Sequence, residues 1–122
     1  MSGRRILVVE DDEDIADALG DLLTYAGHEV RRAANGKAAF ELLSVEPLPE
    51  LIFLDLMMPV MDGTQFRRLQ LEDLRLRGIP VVLLSADRRL AQVAKELGVA
   101  DWLQKPTTEA KLLEAIARVA RR

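Results

Sequence analysis

Glu10, Asp11 and Asp12 in one run, with Asp55, Ser85 and Lys105 standing singly, are side chains of the types that phosphoryl chemistry uses, and each closely follows an apolar run. Carboxylates gathered in one place repel each other unless a cation joins them. Hard oxygen ligands of this kind suit Mg²⁺ (or Mn²⁺), held by one or two carboxylates together with phosphate oxygens. A lysine ammonium adds a compact second positive charge, and a serine hydroxyl can donate a hydrogen bond to a phosphoryl oxygen. That is the equipment for moving a phosphoryl group onto a carboxylate, a reaction in which the protein mainly positions and neutralises. Asp55 suits the part of nucleophile, because a carboxylate is already ionised at neutral pH.

Residues so far apart in the chain can act together only if the fold brings them to one place. Short apolar runs alternate with helical patterns along the whole sequence. Ile6-Leu7-Val8-Val9 has no polar alternation, as expected of a strand covered on both faces. Ile15, Ala18, Leu19, Leu22, Leu23 and Ala26 then mark one stripe of a helix that Gly27 ends. His28 to Arg32 reads as a weaker strand, and Asn35-Gly36 opens a helix carrying Ala39, Leu42 and Leu43. Beyond Pro47 and Pro49 lies Leu51-Ile52-Phe53-Leu54, then a helix from about Gly63 to Leu74, then Val81-Val82-Leu83-Leu84. Leu90, Val93, Ala94 and Leu97 give a helix closed by Gly98, Trp102-Leu103 a short fifth strand, and Leu112, Leu113, Ile116 and Val119 the last helix. Regular strand–helix alternation argues for a parallel sheet with helices on both faces. Such sheets bind ligands beyond the carboxyl ends of their strands. Those ends carry Glu10-Asp11-Asp12, Asp55, Ser85 and, before Pro106, Lys105.

Composition fits this picture and excludes others. The 122 residues suffice for one domain with a real core, and 49% apolar with 30% charged residues is an ordinary globular balance. A net charge of −3, with no long Lys/Arg run, gives no argument for nucleic acid as a partner. The absence of cysteine rules out disulfides and thiolate metal sites and suits a reducing compartment. Residues Met1 to Arg5 lead into an apolar run that ends at Glu10, which is neither a signal peptide nor a membrane span. A cytoplasmic protein of one domain, residues 1–122, with no output domain and no membrane contact, is the expectation.

Over essentially its full length the chain resembles response-regulator receiver domains of two-component signalling. The matching stretches are Val8-Val9-Glu10-Asp11-Asp12, Leu54 to Gly63, Leu84-Ser85-Ala86 and Lys105-Pro106. The resemblance implies a flavodoxin-like, doubly wound α/β fold with strand order 2-1-3-4-5 and five helices. It implies that Asp55 is the phosphoacceptor, that Asp11 ligates the metal directly with Glu10 acting through water, and that the backbone carbonyl of Met57 is the third protein ligand. Ser85 would be the switch hydroxyl, Lys105 the conserved-type lysine, and Trp102 the aromatic switch. The phosphoryl group would come from a sensor histidine kinase or phosphotransfer domain. The face of the fourth helix, fifth strand and fifth helix would then change for an unidentified downstream protein; dimerisation through that face is compatible with this. Such a chain assists its own phosphorylation and dephosphorylation without being a turnover enzyme.

The sequence departs from the family pattern at a few points, with Glu10 where many members have Asp, Trp102 where Tyr or Phe is usual, and Thr107 in place of an aromatic. Asp12 and Asp14 are expected to serve the start of the first helix. Met57, Met58, Val60 and Met61 are expected mostly to pack in the core, His28 to lie at the surface opposite the active end, and Arg118, Arg121 and Arg122 to complement a helix C-terminus. Other functions fit less well. A degenerate receiver acting as an interaction module would not need a complete site. An aspartyl phosphohydrolase wants a second Asp where Met57 stands. A flavin protein of this topology wants a Ser/Thr/Gly-rich phosphate loop where Glu10-Asp11-Asp12-Glu13 would repel phosphate.

Overall fold

The computed structural model describes residues 3–120, so Arg121 and Arg122 lie outside it. Strands and helices alternate as β1 (Arg5–Val9), α1 (Glu13–Tyr25), β2 (Glu29–Ala33), α2 (Gly36–Leu43), β3 (Leu51–Asp55), α3 (Gly63–Glu72), β4 (Val81–Ser85), α4 (Leu90–Leu97), β5 (Asp101–Gln104) and α5 (Glu109–Ala120). The strands form one parallel sheet in the order β2-β1-β3-β4-β5, which is the flavodoxin-like order the resemblance implied.

Successive side chains of a strand point to opposite faces, so each apolar run feeds two cores. Leu7 and Val9, Ile52 and Leu54, and Val81 and Leu83 join Ala39, Leu43, Phe66, Leu90 and Ala94 beneath α2, α3 and α4. Ile6 and Val8, Leu51 and Phe53, and Val82 and Leu84 pack against Leu19 and Leu23 of α1 and Leu112, Ala115 and Ile116 of α5. Neither side of these central strands is wet, which is why their sequences show no polar alternation. Each such side chain contributes about 1.5–3 kcal/mol by leaving water.

The edge strands β2 and β5 are mostly exposed. β2 begins at Glu29, one residue later than the sequence pattern suggested. His28 is held in the preceding turn, where its backbone N–H donates to the Leu23 carbonyl at 3.0 Å and its Nδ1 accepts from the Arg4 N–H at 2.9 Å. His28 is therefore half-buried and structural, and burial, followed by the Arg4 charge, holds its pKa below the ordinary value.

The stripe on α1 is also displaced. Ala16, Leu19, Gly20 and Leu23 face the sheet, whereas Ala18 and Ala26 are exposed. Ala18 instead lines a groove towards α5 together with Ile15, Leu22 and Leu112. α3 stops at Glu72 and not at Leu74: the C-cap Asp73 is extended and its carboxylate accepts the Arg75 N–H at 2.8 Å, a local bond that competes with the helix. At the end of α4, Gly98 takes a φ of 65°, the left-handed cap conformation that glycine adopts without strain.

Arg67 and Gln70 on α3, which the apolar pattern gave no reason to notice, are buried. Arg67 donates from Nε to the Leu97 carbonyl at 3.1 Å, from Nη2 to the Gly98 carbonyl at 2.9 Å, and from Nη1 to Gln70 Oε1 at 2.8 Å. Gln70 Nε2 in turn donates to the Leu76 and Ile79 carbonyls at 3.0 and 2.9 Å. The pair thus takes up the carbonyls that end α4, which have no partner within the helix, and ties down the turn before β4, where the Leu76 carbonyl also accepts the Ile79 N–H at 3.0 Å.

Candidate functional site

The carboxyl ends of β1, β3, β4 and β5 meet around one cleft lined by Glu10, Asp11, Asp12, Ile15, Asp55, Met57, Ser85, Ala86, Asp87 and Lys105. Every residue expected at the site from sequence lines it except Trp102. Local structure explains the placement. Glu10 follows β1 directly, and its backbone N–H donates to the Ala33 carbonyl at 3.0 Å, which keeps it in line with the sheet. Asp12 turns away to cap α1, accepting the N–H groups of Asp14 and Ile15 at 2.9 and 3.1 Å, as expected. Asp55 ends β3, and Gly63 opens α3 so close behind it that a Cβ there would lie 2.7 Å from the Asp55 carbonyl oxygen. Only glycine permits that approach. The same helix start carries a capping box between Asp62 and Gln65, a pattern present in the sequence as Asp-x-x-Gln.

Glu10 and Asp55 are both buried, whereas Asp11 is exposed at the mouth of the cleft. One carboxylate oxygen from each of Glu10, Asp11 and Asp55 falls within 4.8 Å of the others. Lys105 reaches across from β5, with Nζ 2.6 Å from Glu10 Oε1 and 3.4 Å from Asp55 Oδ1. Burial, and then the Glu10 carboxylate beside it, push the Asp55 carboxyl up from its ordinary 3.8 to about 7, against the opposing pull of Lys105. Burial alone would lower the Lys105 ammonium, but Glu10 and Asp55 outweigh it and hold that pKa above the ordinary value. Three carboxylates gather here, only Glu10 and Asp55 of them paired with the single ammonium, and the donors are all hard oxygens. The residues therefore fit a divalent cation such as Mg²⁺.

Met57 donates its N–H to Asp55 Oδ1 at 3.3 Å, and its side chain is exposed. Met58 and Met61 pack against the core as expected, but Met57 and Val60 do not: they are 65% and 76% exposed. The chain turns sharply between β3 and α3, with Val60 at a φ of 69°, and the turn throws both side chains outward. Ser85 is buried at the end of β4, its Oγ accepting the Asp87 N–H at 3.0 Å. Gln104, which the sequence pattern did not single out, sends Nε2 to the Ala86 carbonyl at 3.3 Å and the Asp87 carbonyl at 3.5 Å. Trp102, two residues earlier on the same face of β5, is 44% exposed. Arg118 does not serve α5 alone, because its Nε donates to Asp101 Oδ2 at 3.0 Å.

The fold and this cleft define a receiver domain. The chain belongs to the response regulator receiver domain family, which it matches over residues 6–117. It is 36% identical, over 99% of its length, to the transcriptional regulatory protein GltR of Pseudomonas aeruginosa, covering 50% of that protein. With the uncharacterized transcriptional regulatory protein YrkP of Bacillus subtilis it shares 38% identity, over 97% of this chain and 50% of that protein. The chain thus spans about half the length of these curated relatives. Among solved structures, the signal receiver domain of a signal transduction histidine kinase from Syntrophus aciditrophicus superposes with a TM-score of 0.87 at 33% identity, covering 98% of this chain and 91% of that one. The chemotaxis protein CheY4 of Vibrio cholerae gives a TM-score of 0.87 at 28% identity, over 97% and 99% of the two chains. Receiver domains of this family take phosphoryl groups from histidine kinases and bind Mg²⁺ at an acidic pocket. No helix among the described residues is long and apolar enough to cross a membrane.

Proposed function

We propose that this chain is a working receiver, one domain over residues 1–122, that accepts a phosphoryl group on Asp55 in a Mg²⁺-dependent reaction. The observation that carries this reading is Asp55 itself, buried beside Glu10 and 3.4 Å from the Lys105 ammonium. Placing a carboxylate among other carboxylates destabilises the resting fold, and a receiver uses that arrangement, whereas an interaction module gains nothing from it.

Glu10, Asp11, Asp55 and the Met57 carbonyl are the groups that would hold the cation. When bound, it supplies positive charge against the phosphoryl oxygens and favours the ionised form of Asp55. An Asp55 carboxylate oxygen then attacks phosphorus: the new P–O bond forms as the P–N bond of a phosphohistidine breaks, and the imidazole leaves with the electron pair. Lys105 keeps its proton throughout and balances charge on one phosphoryl oxygen, and the Ser85 hydroxyl donates to another. These residues serve a single acceptor that is itself modified, so the chain assists its own phosphorylation and does not turn over substrate.

The donor is the histidine of a separate kinase or phosphotransfer domain. His28 is tied to Arg4, and the sequence has no Gly-rich, Lys-bearing nucleotide loop. Docking uses the first turn of α1 at Ile15 and the loop at Pro106-Thr107, which both line the groove between α1 and α5. Thr107 Oγ1 is buried there without a hydrogen-bond partner among the described residues. Phosphorylation adds about −1.5 to −2 charges and three acceptor oxygens. Drawing Ser85 and Lys105 towards them, it biases Trp102 inward and reshapes the α4–β5–α5 face for a downstream protein or a second copy.

The test is intact mass spectrometry after incubation with acetyl phosphate. A phosphate adduct is expected with Mg²⁺ or Mn²⁺, none with chelator, and none in Asp55→Asn. An unmodified mass under saturating donor and metal would leave the interaction-module reading in its place.

A further inference from the structure

We infer that Gln104 is a positioning residue for Ser85, acting through the single peptide group that joins Ala86 to Asp87. The inference rests on the phosphoacceptor reading above. A hydroxyl has one proton and two lone pairs. In Ser85 one lone pair is occupied by the Asp87 N–H at 3.0 Å, which leaves the proton free for an acceptor in the cleft that Ser85 shares with Asp55. Which way that proton can point depends on where the Asp87 N–H lies, and this N–H belongs to the same planar unit as the Ala86 carbonyl.

Gln104 holds the far end of that unit. Ser85 and Gln104 are register partners on β4 and β5, so the glutamine stands directly beside the point where the chain leaves β4. Its Nε2 lies 3.3 Å from the Ala86 oxygen and 3.5 Å from the Asp87 oxygen, one shared donor contact on two successive carbonyls. The amide nitrogen is the end that fits, because the amide oxygen would face both carbonyl oxygens. The chain of bonds then runs from the Gln104 amide to the Ala86 carbonyl, across the peptide, and from the Asp87 N–H to Ser85 Oγ, each polarising the next. From the same strand end, the Lys105 N–H donates to the Ser85 carbonyl at 2.8 Å. Residues 104 and 105 therefore hold the chain together where it leaves β4, Lys105 by the Ser85 carbonyl and Gln104 by the following peptide. An aliphatic side chain at position 104 would leave that peptide free to tilt, and the hydroxyl with it.

The experiment measures binding of beryllofluoride with Mg²⁺ by ¹⁹F NMR in the wild-type protein, Gln104→Met, Ser85→Ala and the double variant. Gln104→Met keeps the length of the side chain and removes the donor; the site is exposed, so the fold should survive, and an unfolding midpoint checks this. One weak hydrogen bond corresponds to a loss of about threefold in affinity for the mimic. In the Ser85→Ala background the same substitution should cost nothing further, since there is no hydroxyl left to position. Three results would overturn the inference: unchanged affinity in Gln104→Met, the same loss with and without Ser85, or tighter binding, which would mean that Gln104 holds the loop away from the productive orientation. A wild-type protein that binds no mimic at all would instead overturn the phosphoacceptor reading, and this inference with it.

Discussion

Arg67 on α3 and Asp55 at the end of β3 are both charged groups taken out of water, and they are compensated differently. Each of the three Arg67 bonds runs to a neutral oxygen, on Leu97, Gly98 or Gln70, and the amide of Gln70 is satisfied in turn. Burial lowers the arginine pKa, but the terminal carbonyls of α4 are a favourable place for positive charge. Around Asp55 the bonds are fewer and the charges do not balance: Glu10 and Asp55 share one ammonium, and the Asp55 carboxyl is pushed up to about 7. A buried network with its donors met fixes a shape. A buried cluster with surplus charge waits for something to complete it, and this difference separates scaffold from site when both are made of polar residues.

The comparison breaks most visibly at Arg67. Arg67→Met fills the same space but leaves the Leu97 and Gly98 carbonyls and the Gln70 oxygen without a donor. A loss of about 2–3 kcal/mol is expected from urea unfolding. A loss below about 0.5 kcal/mol, the level of an ordinary surface change, would show that the network adds nothing to stability.

At Asp55 the sign should reverse. An acid whose folded pKa of about 7 exceeds its ordinary 3.8 binds more protons folded than unfolded between those values. Stability should therefore fall as pH rises through that window and stay low above it. Asp55→Asn removes the cost, so the metal-free variant should be the more stable one at pH 8, by on the order of 1–2 kcal/mol, with a flatter pH profile. Mg²⁺ should restore wild-type stability, by about 2.7 kcal/mol at a hundred times its Kd, and should do so more at pH 8 than at pH 5. Thermal unfolding across pH, with and without the ion, reads all of this. An Asp55→Asn protein less stable than wild type at pH 8 would contradict the surplus-charge description.

The smallest effect expected is optical. Trp102 is the only tryptophan and is half exposed. Binding of Mg²⁺ and beryllofluoride should shift its emission by moving the indole inward, and Ser85→Ala should reduce the shift. An indole is bulkier than the usual phenol, so overpacking of about 1–3 kcal/mol would oppose the movement and keep it incomplete. Emission that stays fixed while the mimic binds would make Trp102 a packing residue.

Several features were already legible in the chain itself. The unbroken apolar runs of β1, β3 and β4 identified central strands, because burial on both faces leaves no place for polar alternation. The acid, hydroxyl and lysine that follow those runs identified the site, because a parallel sheet delivers its strand ends to one edge. Asp12 and Gly98 were readable as a helix start and a helix stop, since capping is chemistry within a few residues of sequence. Tertiary structure alone decided the rest. Which leucines of α1 face the sheet and leave Ala18 in the groove depends on how the helix rolls against its neighbours. That Met57 and Val60 point outward depends on a turn held by Gly63 pressing against Asp55. Arg67 and Gln70 looked like surface residues because their partners, the carbonyls at the end of α4 and before β4, carry no side-chain signature. Gln104 is a short reach from Ala86 only because β4 and β5 pair in register. Backbone oxygens are the same at every position of a sequence, so contacts made to them come into view only once the chain has folded.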